Sequence, residues 1–180
     1  MRLKFIASAF LCLAACGGQK AGDANHGQAN MQNGAAPRQA LPPSMSAVRG
    51  DTAKRIMHER HEGMESIGKA NKAIWDQLQK GSPDLSVVRS SAAKIASLSQ
   101  AASNWFHAGT GPEAGNTGAK PQIWQNPWDF SAKLGTFQTA ASSFDLAARG
   151  NDLGQIKARF GSLGGACKAC HDKYRSKMHH

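Results

Sequence analysis

Apolar residues recur at alternating steps of three and four residues over much of the chain, which is the spacing of one face of an α-helix. In the last such stretch the apolar face comprises Leu153, Ile156, Phe160, Leu163, Cys167, Cys170 and Tyr174. This spacing predicts a helix from about residue 153 whose apolar face, the two cysteines included, packs against a core.

Three earlier stretches show the same spacing. The first predicted helix covers about 46–78, and its inner face comprises Met57, Met64, Ile67, Ile74 and Leu78, with Trp75 beside it. The second covers about 84–106, with the face Leu85, Val88, Ala92, Ile95, Leu98 or Ser99, Ala102 and Phe106. The third covers about 127–149, with the face Phe130, Leu134, Phe137, Ala141, Phe144 and Ala148.

The connections between these helices are of two kinds. Residues 81–83 form a turn, with Ser82 or Asp84 as the cap of the second helix, and residues 150–152 form a turn with Asn151 or Asp152 as the cap of the fourth. Residues 109–121 form a long loop rich in glycine, which we expect to cover part of a cofactor. The pattern predicts an all-α protein, an antiparallel four-helix bundle over 46–180.

The first residues have the composition of an export signal. Arg2 and Lys4 precede an apolar run that is too short for a permanent membrane span, so residues 1–15 are predicted to be a signal peptide. Leu13-Ala14-Ala15-Cys16 resembles a lipobox, in which Cys16 is lipidated, with ordinary cleavage as the alternative. Gly17 after the cysteine favours the outer membrane. Residues 16–45 lack bulky apolar side chains and are predicted to be a flexible tether.

The net charge of +10 narrows the choice of partners. The positive charges are spread along the predicted helices without an arginine-rich arm, so we do not expect nucleic-acid binding. A positive surface fits an acidic redox partner, and a merely solvated surface is the alternative.

The sequence Cys167-Lys168-Ala169-Cys170-His171 has the C-x-x-C-H spacing of c-type haem attachment. On a helix the two thiols and the imidazole project from one side, so the thiols can add to the two vinyl groups of one porphyrin while the imidazole binds its iron. A redox C-x-x-C and a zinc site are the alternatives. The first usually opens a helix after a strand, and the second needs about four ligands, whereas the chain has no second cysteine pair of this kind.

These motifs resemble the class II c-type cytochromes, the cytochrome c′ family, over roughly 48–177. The resemblance lies in Lys120-Pro121-Gln122-Ile123-Trp124, in Gly150-Asn151-Asp152-Leu153 and in Phe160-Gly161 followed by Gly165 to Arg175. It implies a four-helix bundle that carries one covalent haem c. It also implies thioethers at Cys167 and Cys170, His171 as the proximal iron ligand, Arg175 beside the proximal imidazole and Trp124 near the haem edge. A plain core role for Trp124 is the alternative.

The distal side of the haem departs from that family. Counting along the first helix places the distal position at Lys54, which is neither apolar nor a methionine. A small shift of register offers Met57 or His58 instead, and we take Met57 as the predicted ligand. We expect His61 to lie on the polar side or at the haem edge.

The expected function is single-electron transfer on the periplasmic side of a membrane, with a periplasmic or membrane redox partner and a lipid anchor. The alternative is a five-coordinate haem that binds nitric oxide or carbon monoxide. An enzyme is not expected, because His58, Arg60 and His61 form no recognisable acid–base arrangement for peroxide. The resemblance also allows a homodimer.

Overall fold

The computed structural model of the chain describes Pro42 and residues 45–177. Within that part the helices are α1 (Gly50–Leu78), α2 (Leu85–Ala101), α3 (Gln122–Gln125), α4 (Pro127–Ala148) and α5 (Leu153–Tyr174). A turn of 3₁₀ helix, Ala102–Asn104, directly follows α2. None of the helices described here is long and apolar enough to cross a membrane.

The four long helices form the predicted antiparallel bundle. In the order of packing, α1 lies on α2, α2 on α4 and α4 on α5, whereas α1 and α5 approach each other much less closely. The antiparallel order is fixed at both ends, because the start of α2 bonds to the end of α4 and the start of α4 bonds to the end of α5. The bundle is therefore most open along the seam between α1 and α5.

One end of the bundle, the turn end (residues 78–85 and 148–153), contains the two short connections. Asp84 caps α2 by accepting a bond from Ser86 N at 2.8 Å. Asp152 caps α5 by accepting from Gly154 N at 2.8 Å and Gln155 N at 3.0 Å. These bonds satisfy backbone donors that lack partners in the first turn of a helix, so both short turns end where the sequence predicted.

The opposite end, the site end (residues 102–130 and 167–177), contains the long connection. The second helix ends earlier than predicted, at Ala101, because the chain tightens into the 3₁₀ turn and then leaves the helix axis. Lys120 to Trp124 includes the short helix α3, which the apolar pattern did not indicate. The third and fourth predicted helices match α4 and α5 closely.

The first half of α1 turns a different face inwards from the one predicted. Its buried residues are Ala53, Ile56, Arg60, Gly63, Ile67, Ala70, Ile74 and Leu78. A charged residue and a glycine occupy this face, so its apolar spacing is hidden in the sequence. Gly63 is required there, because a Cβ would lie 2.1 Å from the indole of Trp105. Trp75, predicted beside the inner face, is 55% exposed.

The packed part of the chain begins before α1. Met45 is buried in the core, and its amide donates to the carbonyl of Pro42 at 2.8 Å. Its own carbonyl accepts from Ala108 N at 3.3 Å. Pro42 and Met45, which the sequence placed in the tether, are therefore packed against the bundle. The other residues of the predicted tether (16–41, 43 and 44) and the predicted leader 1–15 lie outside the described residues.

Candidate functional site

The two cysteines of the motif lie on the last turns of α5, where the helix borders the core. Cys167 and Cys170 are free thiols, each half-buried and packed against the apolar core. His171 follows on the same side of the helix and is exposed. Among the described residues no group of three or more histidine, cysteine or acidic side chains could hold a metal ion, so the zinc alternative gains no support.

The surroundings of these three groups change their ionisation. Burial raises the pKa of Cys167 and of Cys170, and the charge of Lys133 acts in the opposite direction on Cys170. Loss of water and the charge of Arg175 lower the pKa of His171, while Asp172 opposes them. The lowered pKa favours the neutral imidazole, which is the form that binds iron.

The last turn of α5 is fixed to the start of α4 by a polar cluster beside the motif. The hydroxyl of Tyr174 and the ammonium of Lys173 both donate to Oδ2 of Asp129, the latter at 2.9 Å. The Tyr174 ring packs edge-on against Phe130, with centroids 5.3 Å apart. These contacts hold the helical turn that carries His171.

A short backbone bridge holds the same turn from the other side. Ala119 pairs with Arg175 in an isolated antiparallel bridge. Lys120 N donates to the carbonyl of Tyr174 at 3.0 Å, and Ser176 N donates to the carbonyl of Gly118 at 2.9 Å. The long loop predicted to cover a cofactor is thus joined to the end of the helix that bears the motif.

Arg60 joins this loop to α1, although the sequence indicated only a minor part for it in a rejected peroxidase arrangement. Its side chain is buried, and it donates to Trp105 O at 3.1 Å, Thr110 O at 2.9 Å and the hydroxyl of Thr117 at 2.9 Å. Burial lowers its pKa to about 10, although Glu113 acts in the opposite direction. Arg60 lies 45 to 57 residues from these partners, so no local sequence pattern indicates the hydrogen bonds.

Trp124 and Met57 both lie at the site end, in different settings. Trp124 is half-buried against the core, and its Nε1 donates to the carbonyls of Phe106 at 3.1 Å and His107 at 2.9 Å. Met57 is half-buried beside the long loop, with Cε 3.5 Å from the position that a Cβ would take on Gly115. Arg175 is exposed at the end of α5, near enough to His171 to affect its pKa.

The remaining sequence candidates lie away from this arrangement. Lys54, His58 and His61 are exposed rather than close to the inner face of α1, because that face turns by about one residue in the first half of the helix. His61 instead faces Glu65, with Nε2 3.3 Å from Oε1. Cys16, the predicted lipidation site, lies outside the described residues.

The residues present fit a covalently bound haem c. Two free thiols, half-buried against the apolar core, and an imidazole project from one side of a helix, which suits the two thioethers and the iron ligand of one flat apolar ring. Cys167 and Cys170 would hold the porphyrin through thioethers, and His171 would hold its iron.

A family model described as Cytochrome C' matches residues 55–175. The cytochrome c′ of Rubrivivax gelatinosus is 38% identical over 94 residues, which cover 52% of this chain and 72% of that protein. A solved cytochrome c′ described as having an unusual ligand-controlled dimer dissociation has a TM-score of 0.65 at 27% identity, over 72% of this chain and 100% of that one. A nitric oxide complex of a variant cytochrome c′ from Alcaligenes xylosoxidans has a TM-score of 0.63 at 25% identity, over 72% and 100%. The chain therefore belongs to the cytochrome c′ family, whose members carry one covalently bound haem c.

Proposed function

We propose that the protein transfers single electrons on the periplasmic side of a membrane. The observation that carries the proposal is the placement of Cys167, Cys170 and His171 on one side of α5, at the border of an apolar core. When bound there, haem c supplies an iron that gains or loses one electron. The chain holds the group in place, limits its contact with water and sets the charge around it.

Two methionines on α1 compete for the distal side of this site. Met57 is the ligand predicted from the sequence, and it lies against the long loop near Gly115. Met64 is half-buried and packs against the same apolar core as Cys167 and Cys170. Met57 stays the proposed ligand, and Met64 is the second candidate on α1.

Absorption spectra of the reduced holoprotein test both the function and the ligand. A six-coordinate electron-transfer protein gives sharp, split α and β bands that carbon monoxide does not change. Met57→Ala should broaden these bands and allow carbon monoxide to bind, whereas Met64→Ala, the matched control, should leave them unchanged. The reverse result would assign the ligand to Met64. Unchanged bands in both variants would exclude a methionine ligand.

The second candidate function is binding of a small gas, which the nitric oxide complex of the Alcaligenes xylosoxidans protein favours. In that case apolar residues on the distal side would leave room for the gas to bind the cofactor. A broad high-spin spectrum of the unmodified protein that shifts with carbon monoxide would support this function and count against electron transfer. That the protein is not an enzyme stays a prediction, which an assay of peroxide turnover would test.

The location and the assembly of the protein are further parts of the proposal. We infer that the protein is lipidated at Cys16 and anchored to the outer membrane, as the lipobox-like sequence indicates. Cys16→Ser should then move the protein from the membrane fraction to the soluble periplasmic fraction, and membrane retention would refute the anchor. We also infer a homodimer, for which sedimentation velocity with and without carbon monoxide is the test.

A further inference from the structure

Positive side chains collect on one part of the surface, formed by residues 118–121, the start of α4 and the end of α5. We call this part the basic surface. Its cations are Lys120, Lys133, Lys168, Lys173, Arg175 and Lys177, and its carboxylates are Asp129 and Asp172. Four of these cations lie within residues 168–177, and the fold adds Lys120 and Lys133 from more than 30 residues away.

The contacts that build the site end also assemble this surface. Lys120 is held beside the last turn of α5 by its backbone bond to Tyr174, and its Nζ lies 3.4 Å from the carbonyl of Lys173. Asp129 draws Lys173 to the start of α4 at 2.9 Å. Lys133, one turn further along α4, is near enough to Cys170 to affect that thiol electrostatically. The basic surface therefore borders the haem attachment.

Ion pairs neutralise only part of this charge. Lys168 pairs with Asp172 at 2.5 Å and Lys173 with Asp129 at 2.9 Å. Within the part of the chain that the structure describes, no carboxylate lies within ion-pair distance of Lys120, Lys133, Arg175 or Lys177. These four carry the excess charge of the surface.

Other parts of the bundle carry a smaller excess. At and near the turn end the cations are Lys72, Lys80, Arg89, Arg149, Lys157 and Arg159, and the carboxylates are Asp76, Asp84, Asp145 and Asp152, which leaves an excess of two against four on the basic surface. The first three turns of α1 also carry both signs, and Arg55 pairs with Glu59 at 2.5 Å. The basic surface thus holds four of the seven net positive charges of the described residues.

We propose that the basic surface docks a one-electron redox protein whose contact face is acidic. The inference rests on the proposed electron transfer and names the partner class for the same site. Complementary charge next to the attachment site raises the rate of encounter and turns the partner towards the haem. At low ionic strength this attraction extends about 30 Å from the surface, and salt shortens it to about 10 Å at 0.1 M.

The experiment measures the oxidation of the reduced holoprotein by stopped flow at low ionic strength. The oxidants are hexacyanoferrate(III), an anion, and tris(phenanthroline)cobalt(III), a cation. Lys120→Gln, Lys133→Gln and Lys177→Gln are combined in a basic-surface variant. Lys80→Gln, Lys94→Gln and Lys157→Gln are combined in a control variant that removes the same net charge elsewhere.

The basic-surface variant should react with hexacyanoferrate(III) about three- to tenfold more slowly than the unmodified protein and with the cobalt complex faster, because local charge governs the encounter. The control variant should change both rates far less, and arginine at the three surface positions should restore the hexacyanoferrate(III) rate. Equal effects of the two glutamine variants would overturn the proposal, since the long-range net charge alone would then explain them. Failure of the unmodified protein to exchange electrons with either oxidant would instead overturn the proposed function.

A second measurement separates an acidic protein from a lipid surface. Poly-L-glutamate, as a model acidic polypeptide, should slow the hexacyanoferrate(III) reaction of the unmodified protein and have little effect on the basic-surface variant. Phosphatidylglycerol vesicles at equal total charge should slow it less, because a planar surface cannot fit around the bundle end as a chain can. Stronger inhibition by the vesicles would overturn the proposal in favour of membrane docking.

Discussion

The two ends of the bundle are held together in different ways, although an arginine side chain makes several of the hydrogen bonds at each end. At the turn end, Arg89 is half-buried and donates to Ala148 O and Gly150 O, both at 3.1 Å. At the site end, Arg60 is buried and donates to backbone and hydroxyl oxygens of residues 105–117. Arg89 adds hydrogen bonds to a helix end beside turns whose helices already have their own caps. Arg60 instead holds a long loop that lacks the regular backbone hydrogen bonds of a helix.

The comparison shows where stability is local and where it depends on distant contacts. The turn end relies on Asp84 and Asp152, each of which bonds to amides two or three residues further along the chain. The site end relies on pairs such as Asp129 and Tyr174, which are 45 residues apart. Loss of one contact at the turn end should therefore destabilise only the adjacent turn. Loss of one contact at the site end should also destabilise the end of α5 that carries the motif.

The largest expected effect is the loss of the cofactor. The double variant Cys167→Ala, Cys170→Ala cannot form thioethers, so denaturing electrophoresis of protein matured in a host competent for cytochrome c assembly should show no haem-stained band. A void in the core should also lower the melting temperature. Either a stained band or unchanged melting would contradict a haem built into the core. Cys16→Ala, outside the site end, is the matched control and should keep the stain.

The next effect in size concerns Arg60. Arg60→Leu leaves the carbonyls of Trp105 and Thr110 without their donors, so we expect a loss of about 3 kcal/mol in the free energy of unfolding. Urea denaturation followed by circular dichroism measures it. The 109–121 loop should also become sensitive to limited proteolysis, because its attachment to α1 is gone.

Arg89→Leu is the matched control for this prediction. Its partners lie at the half-exposed turn end, where water can replace the lost donor, so it should cost about 1 kcal/mol. Arg60→Lys keeps the charge but loses the fork of donors, and it should fall between the other two. Equal losses for Arg60→Leu and Arg89→Leu would remove the distinction between the two ends.

The importance of Arg60 also shows what the sequence could not reveal. A helical pattern is found from apolar spacing, and Arg60 and Gly63 interrupt that spacing on the buried face of α1. Their partners lie 42 or more residues away in a loop without periodicity. The phase of α1 was therefore wrong in its first half, and the same shift of register made the distal position uncertain between Lys54, Met57 and His58.

Tyr174→Phe should have the third-largest effect. The change removes the hydroxyl that donates to Asp129 but keeps the ring that packs on Phe130. Because the acceptor is exposed, water replaces part of this bond in the variant, and urea denaturation should measure a smaller loss than for Arg60→Leu. Asp129→Asn, which keeps an acceptor, should cost less. If Tyr174→Phe cost just as much in a protein that already carries Asp129→Ala, the bond itself would contribute nothing.

Acid titration sharpens the comparison with a smaller effect. The Tyr174 hydroxyl, followed by Lys173, holds the pKa of Asp129 below its ordinary 3.8. At the turn end Ser86 does the same for the pKa of Asp84. A carboxyl whose folded pKa is lowered stabilises the protein above its unfolded pKa, and this contribution is lost as the pH falls through the folded pKa.

Asp129→Asn and Asp84→Asn should each reduce the loss of stability below about pH 4, measured by thermal denaturation. Tyr174→Phe should reduce the acid loss of stability as Asp129→Asn does, and should leave the contribution of Asp84 unchanged.

Unlike the site end, the turn end followed from the sequence. Asp152 was one of two predicted caps for the fourth helix and Asp84 one of two for the second, since short polar side chains before an apolar stripe act through neighbouring amides. The C-x-x-C-H motif is equally local, and it predicts the attachment residues without any knowledge of their surroundings. Neither the caps nor the motif predicts the contacts that hold the motif in place, because Asp129 and Lys120 lie at no regular sequence spacing from it.

The smallest predicted effects test whether the turn end behaves as independent parts. Asp84→Ala and Asp152→Ala each remove one helix cap and should each cost about 1 kcal/mol of unfolding free energy. The two carboxylates share no hydrogen-bond partner, so their losses should add to within about 0.5 kcal/mol in the double variant. Arg60→Leu and Tyr174→Phe should not add in this way, because the segment from Thr110 to Lys120 is held at one end by Arg60 and at the other by the helical turn that the Tyr174 hydroxyl fixes to Asp129. Denaturation of the four single variants and the two doubles decides the matter. Additive losses at both ends would mean that the loop and the haem helix are held separately, and the difference between the two ends would then be one of size only.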